Sequence, residues 1–117
     1  AGKKLVLATS KPEPFAKEVL RFIGLDKYFT FVFGATFDSS RAKKDQVIAY
    51  ALTTAKIDPV NAIMVGDRFH DIEGAQANNM QSVGVLYGFG SFDELKNANA
   101  DYIVKTSSEA LNLLLKL

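Results

Sequence analysis

Two aspartates stand four residues apart in VGDRFHDIEGA, residues 65–75, directly after the apolar run NAIMV, residues 61–65. Carboxylates at the end of a strand suit a hard cation such as Mg²⁺, which takes oxygen ligands and keeps several waters. Gly66 is read as allowing a tight turn just before Asp67. Asp71 has a second reading, as an N-terminal cap of the helix that follows it. Asp67 has no such alternative. His70, the single histidine, lies between the two and reads as an exposed side chain rather than a metal ligand. A second polar cluster, Thr9-Ser10-Lys11, follows an apolar run at 4–8. A hydroxyl and backbone N–H groups at a helix start favour an anion, phosphate above all. Taken alone, the same pair also reads as a plain helix cap. Lys44 is the third group. It sits at the start of a helical segment, where a cation meets the positive end of the macrodipole, so a negative ligand would explain its place. A solvated surface lysine is the ordinary alternative. Lys43 shares that ambiguity, and Arg41 is a weaker candidate. A phosphate cradle, a cation and a metal-binding carboxylate are the parts of phosphoryl transfer, which is mostly positioning and charge neutralisation.

These groups need a scaffold, and the apolar pattern supplies one. Strand-like runs at 4–8, 29–34, 61–65, 82–88 and 101–104 alternate with helix-like stretches at 12–24, 42–57, 71–79, 91–98 and 107–117. In the first helix, Phe15, Val19 and Ile23 lie on one stripe, two early prolines suit its first turn, and Gly24 is a plausible stop. In the second, Val47, Ile48, Ala51, Leu52 and Ala55 recur at helical spacing. Ser91 reads as a cap of the fourth helix. Parallel strands need crossovers, which are usually helices. The expected class is therefore α/β: a doubly wound, mainly parallel five-stranded sheet in one domain over 1–117. Ligands of such sheets sit beyond the carboxyl ends of the strands, where Thr9-Ser10-Lys11 and Gly66-Asp67 both fall.

Composition narrows the function classes. Of the 117 residues, 48% are apolar and 23% charged, and nine are Phe. That supports a packed core rather than disorder. A net charge of +1, with no long like-charge block, argues against a nucleic-acid or membrane-surface partner. There is no Cys, hence no disulfide framework or thiolate metal site. No run approaches the roughly 18 apolar residues of a membrane span. A cytoplasmic location is the expectation that remains. Ala1-Gly2 is of the kind that cloning leaves behind.

The segments LVLATSKPEPFA, SSRAKKDQVIAYAL and IMVGDRFHDIEGA resemble, in order, the second, third and fourth motifs of the haloacid dehalogenase-like hydrolases, with the phosphoglycolate-phosphatase-like branch nearest. The likeness runs from about Lys4 to Val104. It implies that Thr9 and the Ser10 backbone bind the transferring phosphoryl group. Lys44 would bind the same group and neutralise its charge. Asp67 would help hold Mg²⁺, and Asp71 would act behind it, orienting metal water or pairing with Lys44. Lys11 could touch the substrate. The implied activity is hydrolysis of a small phosphorylated metabolite, phosphoglycolate among the candidates. The family's first motif, an Asp-x-Asp carrying the nucleophile and the acid/base, has no counterpart among Asp26, Asp38, Asp45, Asp58, Asp67, Asp71, Asp93 and Asp101. The family's helical cap has no counterpart either. The chain therefore reads as the C-terminal core portion of a longer phosphatase, inactive alone, with an N-terminal segment of the same protein as a candidate partner. Either such a segment fills the place of the missing strand, or the first and third strands here pair directly. A phosphoacceptor receiver-like or non-catalytic phosphate-binding module is the competing reading. A receiver needs an acidic pair after the first strand, where Thr9-Ser10-Lys11 stands.

Overall fold

The computed structural model describes residues 3–38 and 40–117. Ala1-Gly2, and Ser39 in the third motif segment, lie outside the described residues. All ten expected elements are present. They are β1 (Val6–Pro12), α1 (Glu13–Phe22), β2 (Phe31–Ala35), α2 (Lys44–Thr54), β3 (Ile63–Gly66), α3 (Phe69–Ala77), β4 (Gln81–Val85), α4 (Phe92–Asn97), β5 (Tyr102–Val104) and α5 (Ser107–Lys116). Short 3₁₀ turns at Asp26–Tyr28 and Pro59–Asn61 complete the order. The class is α/β with parallel strands throughout. The strands form two sheets, however, not one of five. One is β1-β2, the other β3-β4-β5. Direct pairing of the first and third strands is not what the described residues show: β1 bonds to β2, and β3 to β4. The chain divides into two compact units, 1–57 and 58–117.

In the first unit, strand alternation sends Val6, Ala8 and Phe33 toward α2, where they meet Val47 and Ala51. Phe33 also meets the Tyr50 ring edge-on at 5.6 Å. The next residue, Gly34, faces the opposite way. A Cβ there would lie 2.6 Å from the Lys11 carbonyl oxygen and 2.8 Å from the Glu13 nitrogen. The β1–α1 connection thus rests directly on the β2 backbone. The α1 stripe expected from the sequence is not the buried one. Ala16 and Leu20 are buried, while Phe15, Val19 and Ile23 are about half exposed. A small alanine lets the helix approach the sheet closely, and that choice rotates the larger side chains outward. The α2 stripe is as expected, with Val47, Ile48 and Ala51 buried.

In the second unit both sheet faces are covered. Val83, Val85, Tyr102 and Val104 pack with Ala110 and Leu113 of α5. Ile103, on the other face, packs with Ile72 of α3 and Leu95 of α4. Gly84 leaves room for Leu95, whose Cδ1 would lie 2.9 Å from a Cβ at that position. Ser91 caps α4 by accepting the Glu94 N–H, and Thr106 caps α5 by accepting the Glu109 N–H, both at 3.1 Å.

Four helices stop by one device. After each, one residue turns left-handed, and the next N–H reaches back to a carbonyl of the last turn. Gly24 (φ 76°), Lys56 (φ 56°), Asn79 (φ 58°) and Asn99 (φ 67°) make the turn. The bonds are Leu25 to Leu20, Ile57 to Leu52, Met80 to Ala75, and Ala100 to Leu95, at 2.9 to 3.2 Å. Glycine and asparagine suit that backbone; lysine carries a Cβ penalty of roughly 1–2 kcal/mol. Lys56→Gly should therefore raise stability by about 0.5–1 kcal/mol, less than the full penalty because glycine gains freedom in the unfolded chain. A higher urea midpoint at unchanged slope is the expected result.

Candidate functional site

At the carboxyl end of β1 the ladder with β2 slips. From Ala8 to Pro12 the strand takes four steps while its partner moves two, Phe33 to Ala35. Thr9, Ser10 and Lys11 are the residues thrown out of register. They lie within the strand, not at the helix start expected for them. The first helical turn is entered through Pro12, with no side-chain cap. Neither Thr9 nor Ser10 caps α1. Instead the Thr9 hydroxyl accepts the Lys11 N–H at 3.2 Å. A hydroxyl that accepts one bond keeps its own proton to donate. Thr9 is half-buried, and Ser10 and Lys11 are exposed.

Lys44 reaches this strand end from 36 residues away. Its Nζ donates to the Ala8 carbonyl at 3.1 Å, and the residue is half-buried rather than fully solvated. Its place as the first residue of α2 is prepared by Gln46, whose Oε1 accepts the Ala42 and Lys43 N–H groups, each at 3.0 Å. Lys43 is exposed. Arg41 is committed elsewhere. Its Nε donates to the Gly34 carbonyl at 2.8 Å, its Nη2 meets Glu13 Oε1 at 3.4 Å, and its guanidinium lies 3.7 Å from the Tyr50 ring centre. It staples α1, β2 and α2 together and is not available as an anion ligand. The loop ahead of it is held by Thr36, which accepts the Arg41 N–H, and by Asp38, which accepts the Ser40 N–H at 3.0 Å. That amide, with the Ser40 and Thr36 hydroxyls, holds the Asp38 carboxyl down at about 2.

At the carboxyl end of β3, Asp71 serves the helix start from inside the helix, not as a cap ahead of it. It is the third residue of α3, and its Oδ2 accepts the N–H groups of Asp67 at 3.1 Å and Arg68 at 3.2 Å. It is buried. Gly66 is needed for a different reason than a turn. Its φ is not positive. A Cβ there would collide with the Asp71 carboxylate, which occupies that space. Asp67 itself is held by the loop after β4, whose Gly88 is expected from the sequence to end a strand. The Phe89 N–H donates to Asp67 Oδ2 at 2.8 Å, and Gly88 and Gly90 both lie too close to Asp67 to carry a Cβ. Glu94 Oε2 accepts from Arg68 Nε at 2.8 Å and from the Phe69 N–H at 2.9 Å. The Arg68 guanidinium, then the amide, holds the Glu94 carboxyl below the usual range. His70 lies against the Phe69 ring at 3.9 Å between centres and is exposed.

The structure thus brings Thr9 and Lys44 to one end of β1, and Asp67 and Asp71 to one end of β3. The first pair belongs to one compact unit and the second pair to the other. Among the described residues, no group of three or more His, Cys, Asp or Glu side chains could hold a metal ion. Asp67 can offer one carboxylate oxygen beyond the one Phe89 engages. That is part of a Mg²⁺ donor set, which typically combines one or two carboxylates with waters and phosphate oxygens.

The sequence model of the haloacid dehalogenase-like hydrolases matches residues 1–85. The chain belongs to that family. Over 108 residues it is 42% identical to the tyrosine-protein kinase PtkA of Mycobacterium tuberculosis, covering 92% of this chain and 34% of that protein. It is 40% identical over 95 residues to a 5'-nucleotidase of Pseudomonas aeruginosa, covering 81% and 43%. It is 32% identical over 117 residues to a phosphoglycolate phosphatase of Vibrio vulnificus, covering 98% and 50%. The crystal structure of a predicted phosphatase from Clostridium acetobutylicum superposes with a TM-score of 0.97 at 46% identity, over 99% of this chain and 54% of that one. The chain spans a third to about half the length of the relatives it matches. No helix among the described residues is long and apolar enough to cross a membrane.

Two outcomes check the β3 end. Gly66→Ala should destabilise the chain by about 1–3 kcal/mol, as overpacking does, by driving Asp71 off both amides; a urea midpoint unchanged from wild type would contradict that. In a carbon-detected NMR titration, Glu94 should titrate below the ordinary glutamate value. Its pKa is depressed on folding, so the stabilisation from its Arg68 and Phe69 bonds is present above the unfolded value and disappears as pH falls through the folded one. Arg68→Ala should move the Glu94 midpoint back up.

Proposed function

We propose that this chain supplies the phosphate-binding and Mg²⁺-binding parts of a cytoplasmic phosphoric monoester hydrolase acting on a small phosphorylated metabolite. The observation that carries the reading is the Lys44 bond to the Ala8 carbonyl. It sets an ammonium beside Thr9 at a strand end that α/β folds use for ligands. In this reading Thr9 donates its proton to a phosphoryl oxygen, the Ser10 N–H assists, and Lys44 balances the charge. Asp67 contributes a carboxylate to Mg²⁺, which when bound would screen the phosphoryl oxygens from an incoming nucleophile's charge. Asp71 works behind Asp67 by fixing its backbone. A single core domain over 1–117 is part of this reading. Phosphoglycolate and nucleoside monophosphates are the substrates that the names of the relatives suggest. The nucleophile and acid/base would come from an Asp-x-Asp, which this sequence lacks. A segment of the same protein would carry it.

The test has two arms. The 117-residue chain, its mass verified, should not turn over p-nitrophenyl phosphate above blank; clear hydrolysis would sink the assignment of nucleophile to another segment. Inorganic phosphate should bind it, and Lys44→Ala should weaken that binding roughly 10- to 100-fold, as expected for one charge-assisted hydrogen bond. Mg²⁺ should tighten phosphate binding to the wild type but not to Asp67→Asn. Equal phosphate affinity in Lys44→Ala would remove that residue from the site.

A further inference from the structure

The loop between β4 and α4 carries none of the motif residues, yet it closes on Asp67 from several sides. The Phe89 N–H takes Asp67 Oδ2 at 2.8 Å. A Cβ on Gly88 would lie 2.7 Å from Asp67 Cγ and closer still to Cβ and Oδ2, so any larger residue would evict the carboxylate. A Cβ on Gly90 would collide with the Asp67 carbonyl oxygen and lie 3.2 Å from Glu94 Oε2. Glu94 in turn ties α4 to the first turn of α3, through Arg68 Nε at 2.8 Å and the Phe69 N–H at 2.9 Å. Glu94 is itself seated by the Ser91 cap on its N–H at 3.1 Å. An aspartate on a surface turn would ordinarily sample several rotamers. Here Oδ2 is engaged by an amide, Gly88 leaves room for the side chain and Gly90 for its main chain, so Oδ1 is presented in one orientation.

We propose that Gly88, the Phe89 main-chain N–H, Gly90 and Glu94 are positioning residues for Asp67 and set how tightly it holds Mg²⁺. The inference rests on reading Asp67 as a Mg²⁺ ligand. Partners that orient a metal ligand are typically worth 10- to 100-fold in metal affinity. Their place in the sequence explains why they escape motif reading: Phe89 is 22 residues from the aspartate it holds.

The experiment is an NMR-followed MgCl₂ titration of the 117-residue chain, reading the Gly66, Asp67 and Arg68 amides. Gly88→Ala should raise the dissociation constant about tenfold or more. With no metal present, it should also speed hydrogen exchange at the residue-89 amide, because the acceptor has moved. Glu94→Gln should weaken Mg²⁺ binding in the same direction. Gly84→Ala, which crowds Leu95 and not Asp67, should lower stability while leaving the Mg²⁺ affinity at the wild-type value. If Gly88→Ala does not fold, Glu94→Gln decides. Wild-type affinity in both Gly88→Ala and Glu94→Gln would overturn the proposal, as would an equal loss in Gly84→Ala. A wild-type chain whose amides ignore Mg²⁺ would overturn the reading of Asp67 as a ligand, and this inference with it. That outcome is distinct from variants that bind as well as wild type.

Discussion

One carboxylate organises the end of β3. Asp71 Oδ2 takes two consecutive main-chain N–H groups, those of Asp67 and Arg68, and it can do so only because residue 66 has no side chain. Both amides stand just ahead of α3, outside its own hydrogen-bond ladder, and leaving such donors buried and unpaired costs about 1–3 kcal/mol each. Asp71 removes that cost and, in the same contact, fixes the peptide on either side of Asp67. The Asp67 side chain therefore hangs from a backbone that cannot swivel. The acid pair four residues apart is a division of labour. One member holds the main chain from which the other projects.

The end of β1 obeys the same logic with opposite charge. Lys44 is anchored to the Ala8 carbonyl, Thr9 to the Lys11 amide, and the connection into α1 lies flat on Gly34. In both units a side chain bonded to main chain stands at a strand end, and a glycine nearby admits a close approach: of the Asp71 carboxylate at Gly66, and of the β1–α1 backbone at Gly34. Bonds to the backbone hold a polar group in place better than bonds between mobile side chains.

Much of this could be read from the sequence, and the exceptions share a cause. Period and punctuation located every helix and strand, because burial on a sheet imposes those patterns locally. The Gly-Asp with a second Asp four residues on was legible because a helix N-terminus writes its needs into adjacent positions. What was hidden depends on distant backbone. Thr9 and Ser10 looked like a helix cap, since nothing local announces that β1 slips against β2 before the helix begins. Gly66 looked like a turn glycine, although its role is to make room. Gly88 reads as the tail of a strand and Gly90 as plain connection, since their reason lies at Asp67. The buried side of α1 was misjudged because Ala16 gives way to close approach, which outweighs the size of Phe15 and Val19. The two-sheet division could not be inferred from strand count, because each run of residues satisfies its own pattern whichever neighbour it finds.

The outer edge of β2 has a consequence for handling this polypeptide. Among the described residues, β2 bonds on one side only, to β1. Its sequence, Phe31–Ala35, contains no charge and no proline, the usual gatekeepers that keep open edges from stacking. Phe31 and Phe33 lie ring over ring at 5.6 Å, which keeps an apolar strip beside that row of unsatisfied amides and carbonyls. A formal charge of only +1 adds little colloidal repulsion. An open strand of this kind invites chain-to-chain strand addition in concentrated preparations, and a single charged residue facing outward from it is the natural remedy.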